Sequence, residues 1–302
     1  MTVLQRAQAG DENAFRELTA PYFRELHLHC YRMLGSVTDA DDAMQEILLA
    51  AWRGLEGFEE RASVRTWLYR IATNRCLNAI RDSKRRPPAE PVPPFEPPPP
   101  SRTSDVTWLQ PYPDELLQEP EAHAVRRETV ELAFIVALQR MPPKQAAALL
   151  LVDVLGFRTA DVADLMDTSA TAIKGALQRA RAALPAADPA PAPETERQLA
   201  KRFAEAFVAD DIETITSLLT DDAWLAMPPA PHEYHGPPAI AGFLRASAEA
   251  RTTTLALEEA GANLQPGFRC YHADQHAVRR YAGHLVLEIR GEGIHRITRF
   301  VS

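Results

Sequence analysis

Two proline-rich stretches constrain the fold of this chain more than any other feature. The sequence RRPPAEPVPPFEPPPP opens a segment that runs from Pro87 to Pro120, and PAADPAPAPE repeats the pattern from Pro185. Proline fixes φ and has no backbone N–H, so neither a helix interior nor a central strand can contain such stretches. They predict three folded blocks, residues 1–86, 121–184 and 196–302, joined by linkers at 87–120 and 185–195.

The hydrophobic period changes between these blocks. The first two, including GDENAFRELTAPYFRELHLHCYRML and SVTDADDAMQEILLAAWRGL, have apolar residues three and four apart, which is typical of helices. The third opens with two amphipathic stretches and ends on GHLVLEIRGEGIHRITRF, where apolar and polar residues alternate as in half-buried antiparallel strands. The expected fold class is multidomain, with two all-α domains followed by one α+β domain.

Composition excludes several classes of protein. The chain has 302 residues and a formal net charge of -8. No stretch approaches the roughly 20 uncharged apolar residues of a membrane span, and the N-terminus lacks the apolar core of a signal peptide, so we expect a cytoplasmic protein without a membrane partner. The three cysteines, Cys30, Cys76 and Cys270, form no CxxC pair, which argues against a disulfide framework or a zinc site. We expect no cofactor.

The acidic chain contains one strongly basic strip, RASVRTWLYRIATNRCLNAIRDSKRR, in which Asp82 is the only acid. On a helix, its apolar residues form one stripe, and the opposite ridge carries Arg65, Thr66, Tyr69, Arg70, Asn74, Asn78 and Arg81. Arginines can neutralise phosphates and amides can read base edges, so the ridge favours nucleic-acid binding over a merely solvated face. The C-terminal Lys84, Arg85 and Arg86 would contact the nucleic-acid backbone. Trp67 is ambiguous, because it lies on the apolar stripe and beside the ridge.

A second candidate DNA-binding element is the stretch RTADVADLMDTSATAIKGALQRARAAL at residues 158–184. A short helix, a break at Asp167 to Ser169 and a longer helix predict a helix-turn-helix, although an ordinary helical hairpin can imitate this pattern. The second helix would project Thr171, Lys174, Gln178 and Arg179 into a major groove, with Arg181 near phosphate.

The proline-rich connector contains one apolar island, WLQPYPDELL, which begins at Trp108. An inert spacer does not need a Trp, a Tyr and three leucines, so we expect the island to dock on a neighbouring domain. A locally collapsed linker is the alternative.

Three motifs occur in a family's order: DADDAMQEILLAAWR, then RASVRTWLYRIATNRCLNAIR, then a helix-turn-helix that ends in ALQRARAAL. Over about residues 10–184 the chain resembles the extracytoplasmic-function sigma factors of bacterial RNA polymerase. The resemblance implies that region 2 (residues 1–86) binds core polymerase and the minus-10 element, and that region 4 (residues 121–184) binds the minus-35 element and the β flap.

The resemblance also implies roles for individual residues. Core polymerase, at the β′ clamp helices, would be bound by Asp42, Gln45, Glu46 and Arg53. The minus-10 element would be bound by Trp67, Arg70, Asn74, Asn78 and Arg81, with the loop Gly57 to Ser63 as a base pocket. The minus-35 element would be bound by Thr171, Lys174, Gln178, Arg179 and Arg181. Ala43 and Met44 replace larger aliphatic residues of the clamp-binding helix, and Gly175 and Gln178 shorten or neutralise the reading surface.

The C-terminal block resembles the SnoaL-like branch of the NTF2-like fold, a curved sheet with helices that close a cone. Some members are polyketide cyclases, but here the histidines at 232, 235, 272, 276, 284 and 295 are scattered, so we expect no catalytic residues, no enzyme activity and no metal at HEYH. The chain stops at FVS, where the fold commonly continues, so we expect either a truncated protein or an incomplete last edge of the cone.

These patterns predict a sigma factor that directs core polymerase to promoter DNA and initiates transcription. Its C-terminal domain would regulate it in cis through intramolecular contacts with the sigma domains. The alternative is a helix-turn-helix regulator whose SnoaL-like domain senses a small molecule, without polymerase docking. An enzyme is the third hypothesis.

Overall fold

Five helices build the N-terminal part of the chain, and each begins or ends where the sequence supplies a cap. The computed structural model describes residues 1–83, 95–117, 127–185, 191–273 and 279–301. Ser36 accepts a hydrogen bond from the Asp39 N–H at one helix start, and Gly35, at φ 74°, ends the preceding helix. The five helices are α1 Val3–Gln8, α2 Glu12–Thr19, α3 Phe23–Leu34, α4 Val37–Gly54 and α5 Val64–Ser83.

Four further helices form the second helical part. Helix α7 continues through one wider turn at Leu150–Val154, and Asp167, at φ 50°, makes the break before the last helix. The Ser169 hydroxyl then accepts a hydrogen bond from the Ala172 N–H, which caps that helix. The helices are α6 Leu132–Arg140, α7 Pro143–Leu149, α8 Thr159–Leu165 and α9 Ala170–Ala183. The pair α8 and α9 is the expected helix-turn-helix.

The remaining elements form one seven-stranded sheet with three helices. The strand order is β1-β3-β2-β7-β6-β5-β4, in which β2 and β7 are parallel and the other pairs are antiparallel. The helices are α10 Pro193–Val208, α11 Ile212–Ser217 and α12 Gly236–Ala250. The strands are β1 Arg102–Thr103, β2 Leu219–Met227, β3 Ala230–His235, β4 Thr254–Glu259, β5 Gly267–Ala273, β6 Arg279–Arg290 and β7 Gly293–Phe300.

The described residues divide into two units. The first unit comprises those of Met1–Pro87, Gln118–Thr129 and Ala133–Pro185, and its core includes Tyr31, Ile47, Leu68 and Leu149. The second unit comprises those of Pro88–Leu117, Val130–Leu132 and Ala186–Ser302, with a core of α10–α12 side chains on one face of the sheet. Both helical regions therefore belong to one unit, and the sheet domain includes a large part of the proline-rich connector.

The apolar island docks on the sheet domain within the second unit, as the sequence predicts. Tyr112 is buried, and its N–H donates to Asn263 Oδ1 at 2.8 Å while its carbonyl accepts from the Asn263 N–H at 2.8 Å. Upstream, β1 adds a strand to the edge of β3. Trp108 differs from expectation, since it stays 46% exposed and Leu109 and Tyr112 supply the buried contacts instead.

Candidate nucleic-acid interface

The polar ridge of α5 is exposed at four of the predicted positions. Arg70, Asn74, Asn78 and Arg81 lie one to two turns apart on the solvent side, and Arg81 lies beside Asp82 at 3.2 Å. The inward side buries Leu68, Ala72 and Cys76, as its apolar spacing predicts. Lys84, Arg85 and Arg86, proposed as backbone contacts, lie outside the described residues.

Trp67 is half-buried on the packing side of α5. Its ring lies 4.8 Å from the Phe58 ring, between centroids, and it joins a small cluster with Leu4 and Leu55 from other parts of the first unit. The indole thereby anchors the loop that precedes α5. Its role at the minus-10 element stays a prediction.

The placement of Tyr69 on the exposed ridge is wrong. Tyr69 is fully buried, with its ring 5.2 Å from the His29 ring and 5.3 Å from the Phe157 ring, and burial raises its pKa. The helical-wheel argument missed this because Phe157 belongs to the second helical region, 88 positions along the chain. A neighbour that distant leaves no trace in the local period.

Arg65, also assigned to the ridge, is engaged in the same contact. Its guanidinium lies over the rings of Tyr69 and Phe157, 5.0 and 4.8 Å from their centroids, and donates to the Glu25 carboxylate from Nε at 3.1 Å. Cation–π contacts of this kind contribute about 0.5–2 kcal/mol each. The N-terminal third of α5 is therefore a packing surface as well as a basic one.

Arg70 joins α5 to the helix-turn-helix directly. Its Nη2 donates to Asp167 Oδ1 at 2.8 Å, and Asp167 occupies the left-handed position in the turn between α8 and α9. Both side chains are largely exposed, so water and salt screen the pair. An arginine of the proposed minus-10 surface is thus paired with the turn of the helix-turn-helix proposed to bind the minus-35 element.

The recognition helix α9 presents its predicted residues to solvent. Thr171, Lys174, Gln178 and Arg179 are exposed, while the opposite side of the helix buries Ile173, Ala176, Leu177 and Ala180. Arg181 is exposed too, but it forms a two-bond pair with the Asp153 carboxylate at 2.8 and 2.7 Å. A contact between Arg181 and phosphate would have to displace or share Asp153.

The four predicted polymerase-contacting residues lie on one exposed face of α4. Asp42, Gln45, Glu46 and Arg53 all face solvent, and Glu46 lies 3.5 Å from Arg75. Sequence reasoning missed Leu49, which is 55% exposed at helical spacing between Glu46 and Arg53. Leu49 adds an apolar side chain to this polar face, and the helical spacing alone could have identified it.

The loop Gly57 to Ser63, the candidate base pocket, is exposed apart from Phe58. Ser63 ends it by accepting a hydrogen bond from the Thr66 N–H at 3.1 Å, which caps α5. The loop therefore lies next to the ridge, and its function stays a prediction.

The HEYH segment in the sheet domain is occupied by structural contacts. Glu233 is buried, forms an ion pair with Arg102 of β1 and lies 3.7 Å from Arg296. In the part of the chain that the structure describes, no group of three His, Cys, Asp or Glu is placed to hold a metal, and His276 lies outside that part. Among the described helices, none is both long and apolar enough to cross a membrane.

Comparison with known proteins agrees with this arrangement of helices. The family models described as Sigma-70 region 2 and Sigma-70, region 4 match residues 18–86 and 131–184. The ECF RNA polymerase sigma factor SigM of Mycobacterium tuberculosis is 35% identical over 176 residues, which cover 58% of this chain and 78% of SigM. The chain belongs to the ECF RNA polymerase sigma factor family.

A second relative extends further along this ECF chain. SigG of Mycobacterium tuberculosis is 43% identical over 243 residues, which cover 75% of this chain and 64% of SigG, so the match spans less than two thirds of that relative. The crystal structure of SigJ from Mycobacterium tuberculosis covers 95% of both chains, with a TM-score of 0.65 and 22% identity. The predicted fold class, two helical sigma regions followed by an α+β domain, is confirmed. A regulator without polymerase docking is not favoured.

Proposed function

We propose that this chain directs core RNA polymerase to promoters and initiates transcription there. Its membership of the ECF family, together with exposure of the matched residues on α4, α5 and α9, supports the proposal. Asp42, Gln45, Glu46 and Arg53 would bind the β′ clamp helices, with Leu49 at the centre of that face. This role places the protein in the cytoplasm, where polymerase and chromosome are.

The two exposed ridges would divide promoter recognition. On α5, Arg70, Asn74, Asn78 and Arg81 combine guanidinium groups for phosphate with amides for base edges of the minus-10 element. On α9, the minus-35 element would be bound by Thr171, Lys174, Gln178 and Arg179, with Arg181 at the flank. Trp67, packed on Phe58, would support the base-capturing loop from behind.

We further propose that the C-terminal domain regulates this activity in cis by binding the connector between the two helical regions. The contacts that support this centre on Asn263, whose side chain accepts from the Tyr112 N–H and donates to the Val130 carbonyl at 2.8 Å. Gln265 Oε1 accepts from the Leu132 N–H at 2.9 Å, at the first residue of α6. Both ends of the segment between Tyr112 and Val130 are therefore bound by one loop of the second unit.

The asparagine and glutamine are buried, so each lost bond would leave a polar group unsatisfied. Asn263 also has φ 59°, a left-handed conformation that Asn adopts more readily than most residues. A connector held in this way cannot extend to let regions 2 and 4 separate onto promoter elements. Release of the Asn263 loop would restore that freedom.

The test compares full-length protein, a chain that ends at residue 195, and Asn263→Gly in run-off transcription with core polymerase. Glycine keeps the left-handed conformation and removes only the side-chain bonds. Both changes should raise transcription, by roughly thirtyfold for Asn263→Gly if two buried hydrogen bonds of about 1 kcal/mol each hold the connector. Gln198→Ala, an exposed amide on α10, is the matched control and should have no effect.

Two outcomes would contradict different parts of this proposal. Unchanged transcription in both altered chains refutes regulation in cis. Failure of every form to bind core polymerase, or to compete with a housekeeping sigma factor for it, refutes the sigma function itself.

A further inference from the structure

Among the described residues of the sheet domain, Arg299 is a partly buried arginine without a carboxylate partner. Arg299 lies on β7 opposite Leu285 of β6, which in turn lies opposite Phe268 of β5. Leu285 and Phe268 belong to the core, and side chains in register across a sheet point to the same face. The guanidinium of Arg299 therefore extends from the side of the sheet that carries the apolar core.

Other partly buried arginines of this domain are paired. Arg296, three residues earlier, lies between Glu233 and Glu288, and Arg251 forms an ion pair with Asp210. In the part of the chain that the structure describes, Arg299 has no such acid, and its Nε is buried without a hydrogen-bond partner. A buried, unpaired guanidinium is costly, because desolvation is not offset by any attraction.

Among the described residues, the groups around Arg299 provide no unpaired negative charge. Burial raises the pKa of the Cys270 thiol to about 11, so it is neutral at pH 7. Burial, Arg299 and Arg251 lower the pKa of His272, whose Nδ1 lies 2.8 Å from the Thr253 hydroxyl, so this ring is also neutral. Arg251 is compensated by Asp210. The net charge of the cluster is therefore one positive charge, on Arg299, because guanidinium stays protonated in proteins.

The cluster is also reachable from solvent. Arg251, His272 and Arg299 each keep part of their surface exposed although the Nε of Arg299 is enclosed. On β6, the position opposite Cys270 is Gly283, which adds no side chain to this face. A small ligand could approach from the exposed side and satisfy the enclosed donor.

We propose that Arg299, with Arg251 and His272, forms a binding site for a small monocarboxylate. A carboxylate fits the planar fork of guanidinium with two parallel hydrogen bonds, and one negative charge balances the one unpaired positive charge. A phosphate dianion would leave a surplus negative charge in a largely desolvated site. The adjoining Leu285, Phe268 and Leu255 side chains favour a carboxylate with an apolar body, such as benzoate. This inference does not depend on the proposed sigma function.

The test is calorimetric titration of the full chain with sodium benzoate and sodium butyrate, with inorganic phosphate and chloride at matched ionic strength. We expect saturable binding of at least one carboxylate, and at least tenfold weaker binding by Arg299→Gln, since a charge-assisted bond to the ligand is lost. Arg245→Gln, an exposed arginine on α12, is the matched control and should bind as the wild type does.

Arg299→Gln should also fold at least as stably as the wild type, because it removes an unpaired buried charge. A thermal melt of both proteins without ligand checks this, and Arg299→Lys should bind weakly because it keeps the charge and loses the fork. The site is refuted if no carboxylate binds saturably, or if Arg299→Gln binds benzoate as tightly as the wild type. Equal affinity for phosphate refutes the carboxylate class.

Discussion

The two proposed DNA-reading helices, α5 and α9, share one unit but differ in what covers them. On α9, the residues proposed to read the minus-35 element face solvent, and among the described residues Arg181 at the flank is paired, with Asp153. On α5, Arg70 is paired with Asp167 and the adjacent Tyr69 is buried against Phe157. The proposed DNA-binding face of α9 is exposed, whereas the N-terminal part of α5 contacts other residues of the second helical region.

This difference indicates which of the two proposed promoter contacts requires a conformational change first. The side-chain contacts described above between α5 and the second helical region are one exposed ion pair, one cation–π contact and one aromatic edge contact, which together contribute a few kcal/mol at most. Polymerase or DNA binding can supply that amount. We infer that Arg70 becomes available only when α5 leaves Phe157 and Asp167, whereas Lys174 needs no such change.

The largest expected difference between α5 and α9 is in how the stability of each helix depends on pH. Beneath α5, His29 is fully buried, its Nε2 lies 3.1 Å from the Thr73 hydroxyl, and burial together with Arg32 lowers its pKa from 6.5 to about 3. The unfolded chain binds this proton below pH 6.5 and the folded chain does not, so stability falls as pH falls from 6.5 towards 3. At pH 5 the loss is roughly 2 kcal/mol, at about 1.4 kcal/mol per unit.

Hydrogen–deuterium exchange from pH 7 to 5, corrected for intrinsic rates, measures this loss. Protection of α5 should fall while that of α9, whose inward residues are apolar, stays nearly constant. In His29→Gln the pH dependence of α5 should disappear. An unchanged dependence in that variant would exclude His29 as its origin.

The second prediction removes the aromatic contact. Phe157→Ala deletes the partner of the Tyr69 edge contact and of one Arg65 cation–π contact, a loss of about 1–2 kcal/mol. Protection at the start of α5 should fall roughly tenfold, and α9 should be unaffected. Phe23→Ala, which removes an exposed ring stacked on His27, is the control. Equal losses in both variants would mean that α5 is not held by Phe157.

The sequence predicted the exposed and buried positions of α9 better than those of α5. For α9, the residues predicted to face outward all lie where the helical period places them, because its neighbours are α7 and α8, close in sequence. For α5, the period placed Arg70, Asn74 and Asn78 on the exposed side, where they lie, but misplaced Tyr69. The missing information was a contact with Phe157, and a periodicity calculation contains only local spacing.

For the proline-rich connector, the sequence predicted that a contact forms but not which residues form it. Its composition predicted an island that docks, because Tyr and Leu in a proline-rich acidic segment need burial. Composition could not identify Asn263 and Gln265 as the partners, since they lie some 150 residues away and are ordinary polar residues in the sequence. Likewise, nothing local marks Arg299 as unpaired, because pairing is decided by strands that meet only in the fold.

The smallest effect is the most specific test of the comparison. Asp167→Asn keeps the left-handed backbone and removes the charge that pairs with Arg70, an exposed pair worth at most about 1 kcal/mol, or roughly fivefold. Affinity for core polymerase should rise by up to that factor, and open-complex formation should not fall. Arg70→Ala should raise core affinity equally but reduce open-complex formation, because Arg70 is also proposed to contact DNA. Asp164→Asn, an exposed acid on α8, should change neither. If the Asp167 and Arg70 variants behave alike in both assays, Arg70 only holds α5 against Asp167 and does not contact DNA. The proposal that both helices bind DNA would then lose this residue.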